Sequence, residues 1–317
     1  MACAGTGAFS QDTATVETPP SLSDVKWAGP APDPSFLKGK TVIVLTYVTW
    51  CPKCNAWTGK VAAEIKQESV DKPVVVLAIS TDTPPAGALE YMQERKLVGP
   101  NVFHGFDPTI AARFGFANKF INYAIVSPEG KIVASGNAGS HFTDDKKPSY
   151  ASARYIAESN DLGSLRFVKP EMPGALKERL WLIELGVSRD VKKMEAGLSP
   201  EESDLLRSTI QSGIAAELEQ LEELSKSESI ADKLSAVNKA TFLTSQFAAT
   251  SEGRRAKELL AQLAKDSAIK DEMSAKKQYD AAMKIADPIR RRKALESLVK
   301  KFAETEYGRQ AAQATER

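Results

Sequence analysis

The 317-residue chain has little cysteine and little histidine. It contains three cysteines, Cys3, Cys51 and Cys54, and two histidines, His104 and His141. Three cysteines cannot form the disulfide framework of a small secreted domain. A zinc site on the two close cysteines would need two further ligands at short spacing, and both histidines lie far away in sequence. The Cys-x-x-Cys spacing (CxxC) therefore indicates chemistry rather than disulfide stapling or metal binding.

Charge and hydropathy exclude further classes of protein. The formal net charge is +1, so no long-range attraction to nucleic acid or to a membrane surface is expected. The longest apolar run, around Val42–Val48, has about eight residues, whereas ~20 are needed to span a bilayer. The basic run Arg290–Lys293 lies among acidic residues, and we interpret it as a solvated helical face. A chain of 317 residues is expected to form two domains.

Residues 26–160 alternate between strand and helix signals. Runs of β-branched residues bounded by glycine or proline predict buried strands, and apolar residues at helical spacing predict the helices between them. The turn Ser127–Gly130 predicts a β-hairpin. The predicted strands are Thr41–Val48, Pro73–Ile79, Ile121–Val126 and Lys131–Ser135, and the predicted helices are Ala56–Gln67, Pro84–Lys96, Ile110–Phe114 and Ser149–Ser159. This order predicts a three-layer α/β domain.

Changes in composition predict the domain boundaries. Residues 1–24 are rich in Ala, Thr, Ser, Gly and Pro, which is typical of a flexible tether. We predict an α/β domain over residues 25–165, followed by a short stretch with glycine, proline and no clear period. Residues 170–317 are predicted to form an all-helical domain, in which Pro200 and Pro288 begin helices.

The helical half contains an internal repeat. The segment Phe247–Ala256 (FAATSEGRRA) recurs about 55 residues later as Phe302–Ala311 (FAETEYGRQA). In each copy the phenylalanine is predicted to close one helix onto the core, and the threonine is predicted to cap the next helix. The pattern predicts duplicated helical hairpins, loosely similar to tetratricopeptide-type repeats, with an irregular helical bundle as the alternative.

The motif Trp50-Cys51-Pro52-Lys53-Cys54 carries the predicted chemistry. Cys51 follows a buried strand, and a helix is predicted to begin at about Pro52, where a missing N–H is tolerated. The free N–H groups and positive dipole end of that helix stabilise a thiolate at Cys51, beside the charge of Lys53. Cys54 lies one helical turn further and is expected to be more buried. We therefore predict that Cys51 attacks a substrate sulfur and that Cys54 resolves the mixed disulfide.

Four segments resemble the thioredoxin superfamily, in particular its bacterial extracytoplasmic redoxin branch, which is related to cytochrome c maturation reductases. They are Gly29–Pro32, Leu37–Val42, Trp50–Cys54 and the stretch from Phe114 through Val133. The resemblance covers about residues 25–160 and implies a central mixed sheet flanked by helices. It also implies a thiol–disulfide oxidoreductase that acts on protein thiols and disulfides. We expect no cofactor and no metal.

Two positions depart from the pattern of that superfamily. Its members usually have a cis-proline before the hairpin strand, facing the two sulfurs, where this chain has Ile121. The Phe120–Ile121 peptide is expected to be trans, because a cis bond without proline costs ~3 kcal/mol. Many members also place a buried acid in the strand before the motif, where this chain has Leu45. Both departures predict slower or more specialised chemistry, with a base that comes from elsewhere.

Several side chains have alternative interpretations. Trp50 is either a partly exposed lid beside the sulfurs or a residue of the core. Lys53 either tunes the thiolate or is only solvated. We expect His104 and His141 to be loop residues rather than proton shuttles.

Two functions are consistent with these residues. The first is an extracytoplasmic thiol–disulfide oxidoreductase, periplasmic or lipid-anchored, whose helical domain binds partners or holds the enzyme near its substrates. The alternative is a thioredoxin-like scaffold with weak redox activity beside a helical protein-interaction module. The intact cysteine motif favours the first and the missing proline favours the second. No signal-peptide pattern is visible in the sequence, and Cys3 is a candidate for lipidation.

Overall fold

The computed structural model describes residues 19–32, 34–69, 71–117, 120–139, 141–142, 149–188, 190–283, 285 and 287–316. The predictions for Cys3 and for most of the tether lie outside these residues. The chain divides between Ile210 and Gln211 into two compact units.

A six-stranded mixed sheet forms the centre of the first unit. Its strands are β1 (Lys26–Trp27), β2 (Thr41–Tyr47), β3 (Val74–Ser80), β4 (Val102–Phe106), β5 (Asn122–Val126) and β6 (Ile132–Asn137). Their order across the sheet is β1-β4-β3-β2-β5-β6. Strands β2, β3 and β4 run parallel, whereas β1, β5 and β6 pair antiparallel with their neighbours. A separate short pair is formed by β7 (His141–Phe142) and β8 (Ser149–Tyr150).

Helices connect the strands and continue beyond the sheet. They are α1 (Pro34–Leu37), α2 (Pro52–Ser69), α3 (Pro85–Glu94), α4 (Ile110–Arg113), α5 (Ala151–Glu158), α6 (Gly174–Glu184) and α7 (Val191–Met194). Every residue of β2 and β3 is buried, as expected of parallel strands that are covered on both faces. On one face, Ile43 and Leu45 of β2 share a core cluster with Val61 and Ile65 of α2.

Most of these elements agree with the sequence prediction. Strands β2 and β3, the hairpin β5–β6 and helices α2 to α5 confirm it to within a few residues. Strand β4 was not predicted, because His104 and Gly105 interrupt its short apolar run and its position depends on pairing with β3. The expectation that both histidines lie in loops is wrong, since His104 lies in β4 and His141 in β7.

A buried ion pair joins α6 to the base of the sheet. Lys40, directly before β2, contacts Glu184 of α6 with 2.7 Å between Nζ and Oε1, and both side chains are inaccessible to solvent. Glu184 also accepts the backbone N–H groups of Arg166 and Phe167 at 2.8 and 2.9 Å. These contacts hold residues 166–184 in the first unit, although composition indicates that the α/β domain ends near residue 165. Which segments fold independently stays a prediction.

Helices make up the second unit and the segment that leads into it. They are α8 (Pro200–Lys226), α9 (Ile230–Gln246), α10 (Ser251–Leu263), α11 (Ser267–Met283), α12 (Pro288–Phe302) and α13 (Glu306–Glu316). Pro200 and Pro288 each begin a helix, as predicted, because the first turn does not need their N–H. Among the described helices, none combines the length and the apolar character that crossing a bilayer requires. The predicted fold class, a mixed α/β sheet followed by helices, is confirmed.

The two copies of the repeated segment form the same helix-to-helix turn. The hydroxyl of Thr250 accepts the N–H of Gly253 at 3.0 Å, and the hydroxyl of Thr305 accepts the N–H of Gly308 at 2.9 Å. Each threonine hydroxyl also donates to the carbonyl of the phenylalanine three residues before it. A Cβ on either glycine would overlap that same carbonyl oxygen, which explains why both copies have glycine there. The predicted threonine caps are confirmed.

Buried residues recur at the same offset outside this turn. The matching buried positions are Ile214 and Ile269, Glu217 and Glu272, Ala240 and Leu295, and Leu243 and Leu298. The correspondence therefore extends back from the turn into the two preceding helices of each copy. Whether it makes a tetratricopeptide-like array stays a prediction.

The buried His104 predicts a pH-dependent stability of the first unit. Burial lowers the pKa of His104 to about 4 from its usual 6.5, and its Nδ1 has no hydrogen-bond partner among the described residues. The unfolded chain takes up a proton below pH 6.5 and the folded chain does not until about pH 4. The stability that the neutral His104 contributes is therefore fully present above pH 6.5. As the pH falls from 6.5 to about 4, the free energy of unfolding decreases by roughly 3 kcal/mol.

We expect His104→Leu to remove this loss. The difference in unfolding free energy between wild type and variant, from urea titrations at pH 7 and pH 4, isolates His104 because the carboxylates titrate in both proteins. The variant should gain about 3 kcal/mol relative to wild type between the two pH values. A difference that stays constant with pH would show that His104 does not titrate abnormally.

Candidate functional site

The two cysteines of the CxxC lie where β2 ends and α2 begins. They form a disulfide, with 5.2 Å between their Cα atoms. Cys51 is partly exposed in the turn before the helix, whereas Cys54 lies in the first turn of α2 and is 5% exposed. The sequence predicted this asymmetry between the cysteine that an incoming sulfur reaches first and the cysteine behind it.

The first turn of α2 directs backbone N–H groups at Cys51. The N–H of Cys54 donates to Cys51 Sγ at 3.2 Å, and the N–H of Asn55 donates to the Cys51 carbonyl at 2.9 Å. Pro52 takes the first helical position, where its missing N–H is not needed. The N–H of Asn55 closes a helical hydrogen bond, so it is the N–H of Cys54 that contacts the sulfur. At a helix N-terminus this N–H favours a thiolate on Cys51 when the disulfide is reduced.

Trp50 lies outside the core, beside the cysteines in sequence. Its side chain is 65% exposed, and its ring centroid lies 6.0 Å from that of Phe120, which is also exposed. Lys53 is exposed too, and its ammonium lies 5.1 Å from the centroid of the Trp57 ring on the next turn of α2. The core interpretation of Trp50 is therefore excluded, and an effect of Lys53 on the thiolate stays a prediction.

Ile121 and Leu45 both fill apolar positions near the motif. Ile121 is fully buried directly before β5, the strand that pairs with β2 on the side away from β3. The described residues contain no cis peptide bond, so the Phe120–Ile121 peptide is trans, as expected. Leu45 of β2 is fully buried in the core cluster. Leu45 has no group that could accept a proton from Cys54, as the sequence predicted.

Asp82 is a residue of this site that the sequence analysis missed. It follows β3, and its two carboxylate oxygens accept the N–H of Thr49 at 3.1 and 2.9 Å. The same carboxylate accepts the hydroxyls of Thr49 at 3.1 Å and of Ser80 at 2.9 Å. Because β2 and β3 are parallel neighbours, both end at the same edge of the sheet. A polar run directly after the second buried strand was the signal that could have revealed Asp82.

The other polar candidates lie elsewhere. His104 lies within β4, which β3 separates from β2. No group of three or more His, Cys, Asp or Glu side chains within the described ranges is arranged to hold a metal ion.

Replacing Asp82 should loosen the turn that carries the cysteines. In Asp82→Ala the backbone N–H of Thr49 loses a charged acceptor, which we expect to cost about 2 kcal/mol of unfolding free energy. The matched control is Asp71→Ala, since Asp71 forms a partly exposed ion pair with Lys177 and should cost less than about 1 kcal/mol. Urea unfolding of both oxidised variants checks this. Equal losses would contradict the role assigned to Asp82.

This chain is similar to several solved protein structures. The chain matches no family model and no curated protein. A secreted disulfide oxidoreductase of Mycobacterium tuberculosis, described as homologous to DsbE of E. coli, is 18% identical, with 42% of this chain and 92% of that chain covered and a TM-score of 0.32. A thiol:disulfide interchange protein from Bacteroides sp. is 22% identical, with 40% and 82% covered and a TM-score of 0.30. A secreted thiol-disulfide isomerase from Corynebacterium glutamicum is 15% identical, with 41% and 87% covered and a TM-score of 0.29.

The fold itself is assigned from the elements of this chain. Parallel strands β2 and β3 are joined through a helix that begins inside the CxxC, and the antiparallel hairpin β5–β6 continues the sheet beyond β2. The first unit therefore contains a thioredoxin-like fold.

Proposed function

We propose that this protein is a thiol–disulfide oxidoreductase that acts on protein thiols and disulfides. The observation that carries the proposal is the Cys51–Cys54 disulfide at the N-terminus of α2, with Cys51 partly exposed and Cys54 buried. An incoming sulfur can reach Cys51, and Cys54 is held close enough to displace it.

The reaction consists of two exchanges of sulfur–sulfur bonds. In the reduced protein the thiolate of Cys51 attacks one sulfur of a substrate disulfide, which forms a mixed disulfide and releases the other substrate sulfur as a thiolate. Cys54, as a thiolate, then attacks Cys51 Sγ, and the second substrate sulfur leaves. The substrate gains two electrons and the protein is left with its Cys51–Cys54 disulfide. The disulfide form runs the same steps in reverse and oxidises a substrate dithiol.

The microenvironments of the two sulfurs support this division of roles. Cys51 receives an N–H from Cys54 at 3.2 Å, and a hydrogen bond from a helix N-terminus favours the charged form of sulfur. Burial of Cys54 disfavours its charged form. The first attack therefore belongs to Cys51, and Cys54 reacts once a mixed disulfide stands directly beside it.

The partners in this proposal are proteins. A net charge of +1 gives no reason to expect nucleic acid. The helical unit would bind such partners or hold the redox domain near them. An extracytoplasmic site of action rests on the resemblance of the sequence motifs to the bacterial extracytoplasmic redoxins, and separation of cell compartments tests it.

A Cys54→Ser variant should trap substrates. Without the resolving sulfur, a mixed disulfide between Cys51 and a partner persists until an external thiol releases it. Non-reducing gels followed by mass spectrometry should show partners joined through Cys51. The matched control is the double variant Cys51→Ser/Cys54→Ser. It keeps Cys3 and should trap nothing. If Cys54→Ser captures no partner and the wild type does not exchange with any disulfide, the scaffold interpretation replaces the enzyme.

A further inference from the structure

Thr49, two residues before Cys51, is held at both of its backbone groups. Its N–H donates to the two carboxylate oxygens of Asp82 at 3.1 and 2.9 Å. Its carbonyl accepts the side-chain amide of Asn55 at 3.2 Å. Asn55 directly follows Cys54 in α2, so this second bond ties the turn before the CxxC to the helix after it.

The amide of Asn55 is oriented by Tyr91. The hydroxyl of Tyr91, in α3, donates to Asn55 Oδ1 at 2.5 Å. An amide whose oxygen accepts from Tyr91 must present its NH₂ group to the carbonyl of Thr49. Turned the other way, the amide would set its oxygen against that carbonyl oxygen, so the hydroxyl of Tyr91 favours the orientation that holds the turn.

Tyr91 itself has little freedom to move. It is 8% exposed, and its ring stacks on Tyr47 with 5.1 Å between centroids and 12° between planes. The guanidinium of Arg95 lies 3.4 Å from the centroid of the Tyr91 ring and donates to the Tyr91 carbonyl at 2.7 Å. A buried ring fixed by these contacts delivers its hydroxyl to one place, which a positioning residue requires.

We propose that Tyr91 is a positioning residue for the CxxC. Its hydroxyl orients Asn55, and Asn55 holds the carbonyl of Thr49. This fixes the turn that places Cys51 Sγ against the N-terminus of α2. This inference rests on the proposed function. The bond that it protects is the one from the Cys54 N–H to Cys51 Sγ, 3.2 Å long. Hydrogen bonds weaken steeply when their geometry is lost. A turn that drifts therefore stabilises the thiolate less.

Charged side chains contact this turn, or the residues that hold it, from three elements. Asp82 lies after β3 and holds Thr49, Lys53 lies on α2 over Trp57, and Arg95 lies against Tyr91 at the end of α3. Removal of the Tyr91 hydroxyl changes none of these charges. An altered acidity of Cys51 in such a variant would therefore report the geometry of the turn and not a lost charge.

Two matched variants test the proposal. Tyr91→Phe removes the hydroxyl that reaches Asn55, and Tyr47→Phe removes the hydroxyl that donates to the Ala88 carbonyl at 3.1 Å. Both variants lose one buried tyrosine hydrogen bond from the same ring stack, but only the first is linked to the turn. The readout is the pH dependence of iodoacetamide alkylation at Cys51 in the reduced proteins, resolved by peptide mass spectrometry so that Cys3 and Cys54 are counted separately.

We expect Tyr91→Phe to move the midpoint of the pH–alkylation curve of Cys51 to higher pH. At a pH below the wild-type midpoint, where the rate follows the thiolate fraction, alkylation should slow by about threefold. Tyr47→Phe should stay within about 1.5-fold of wild type on the same scale. In an Asn55→Ala background the link is already broken, so adding Tyr91→Phe should have no further effect on Cys51. Unfolding curves of the four variants and of the wild type show whether each variant is folded.

The outcomes separate this inference from the function on which it rests. A wild type in which Cys51 reacts as an ordinary thiol and exchanges with no disulfide overturns both. A wild type with a reactive Cys51 that Tyr91→Phe leaves unchanged overturns only the positioning role. Equal changes in Tyr91→Phe and Tyr47→Phe, or an undiminished effect of Tyr91→Phe in the Asn55→Ala background, also overturn it.

Discussion

The parallel pairing of β2 with β3 is the constraint on which the site depends. Its register sets Tyr47 opposite Ser80 at the last position of both strands, so the two chains leave the sheet side by side. Asp82 then reaches the backbone of Thr49, and the turn enters α2 in a fixed direction. A shift of one residue would turn every side chain of β2 to the other face and move this turn away from Asp82. The reactivity of the cysteine motif therefore depends on a strand register set by core residues.

Local signals explain why much of the fold could be predicted from the sequence. Continuous β-branched runs predicted β2 and β3, and a Ser-Pro-Glu-Gly turn predicted the hairpin β5–β6. The placement of Cys51 and Cys54 followed from a strand before them and Pro52 at the start of a helix. Tertiary pairing determined the rest. His104 and Gly105 interrupt the apolar run of β4, so the sequence does not predict this strand. Asp82 contacts Thr49 only because β3 lies beside β2. No local pattern contains either fact.

In the helical half, the correspondence between the two copies continues beyond the short repeated motif. A ten-residue repeat predicted two threonine caps, and both have the same hydrogen bonds, with a glycine where a side chain would overlap a carbonyl. Buried residues then match at the same offset far from that motif, among them a glutamate in each copy, Glu217 and Glu272. Three of the four matched pairs keep the residue type, whereas most of the residues between them differ, so burial shows a correspondence that the sequence shows only at scattered positions. Binding of protein partners by this half stays a proposal.

Redox equilibration of the CxxC tests the central claim most directly. The protein is brought to equilibrium with dithiol–disulfide buffers of stepped potential, quenched with acid, and alkylated so that mass spectrometry counts free Cys51 and Cys54. If the pair is a working couple, both thiols should appear together as one two-electron transition between about −120 and −300 mV. A disulfide that persists across this range, thiols that never pair, or two cysteines that titrate separately would contradict it.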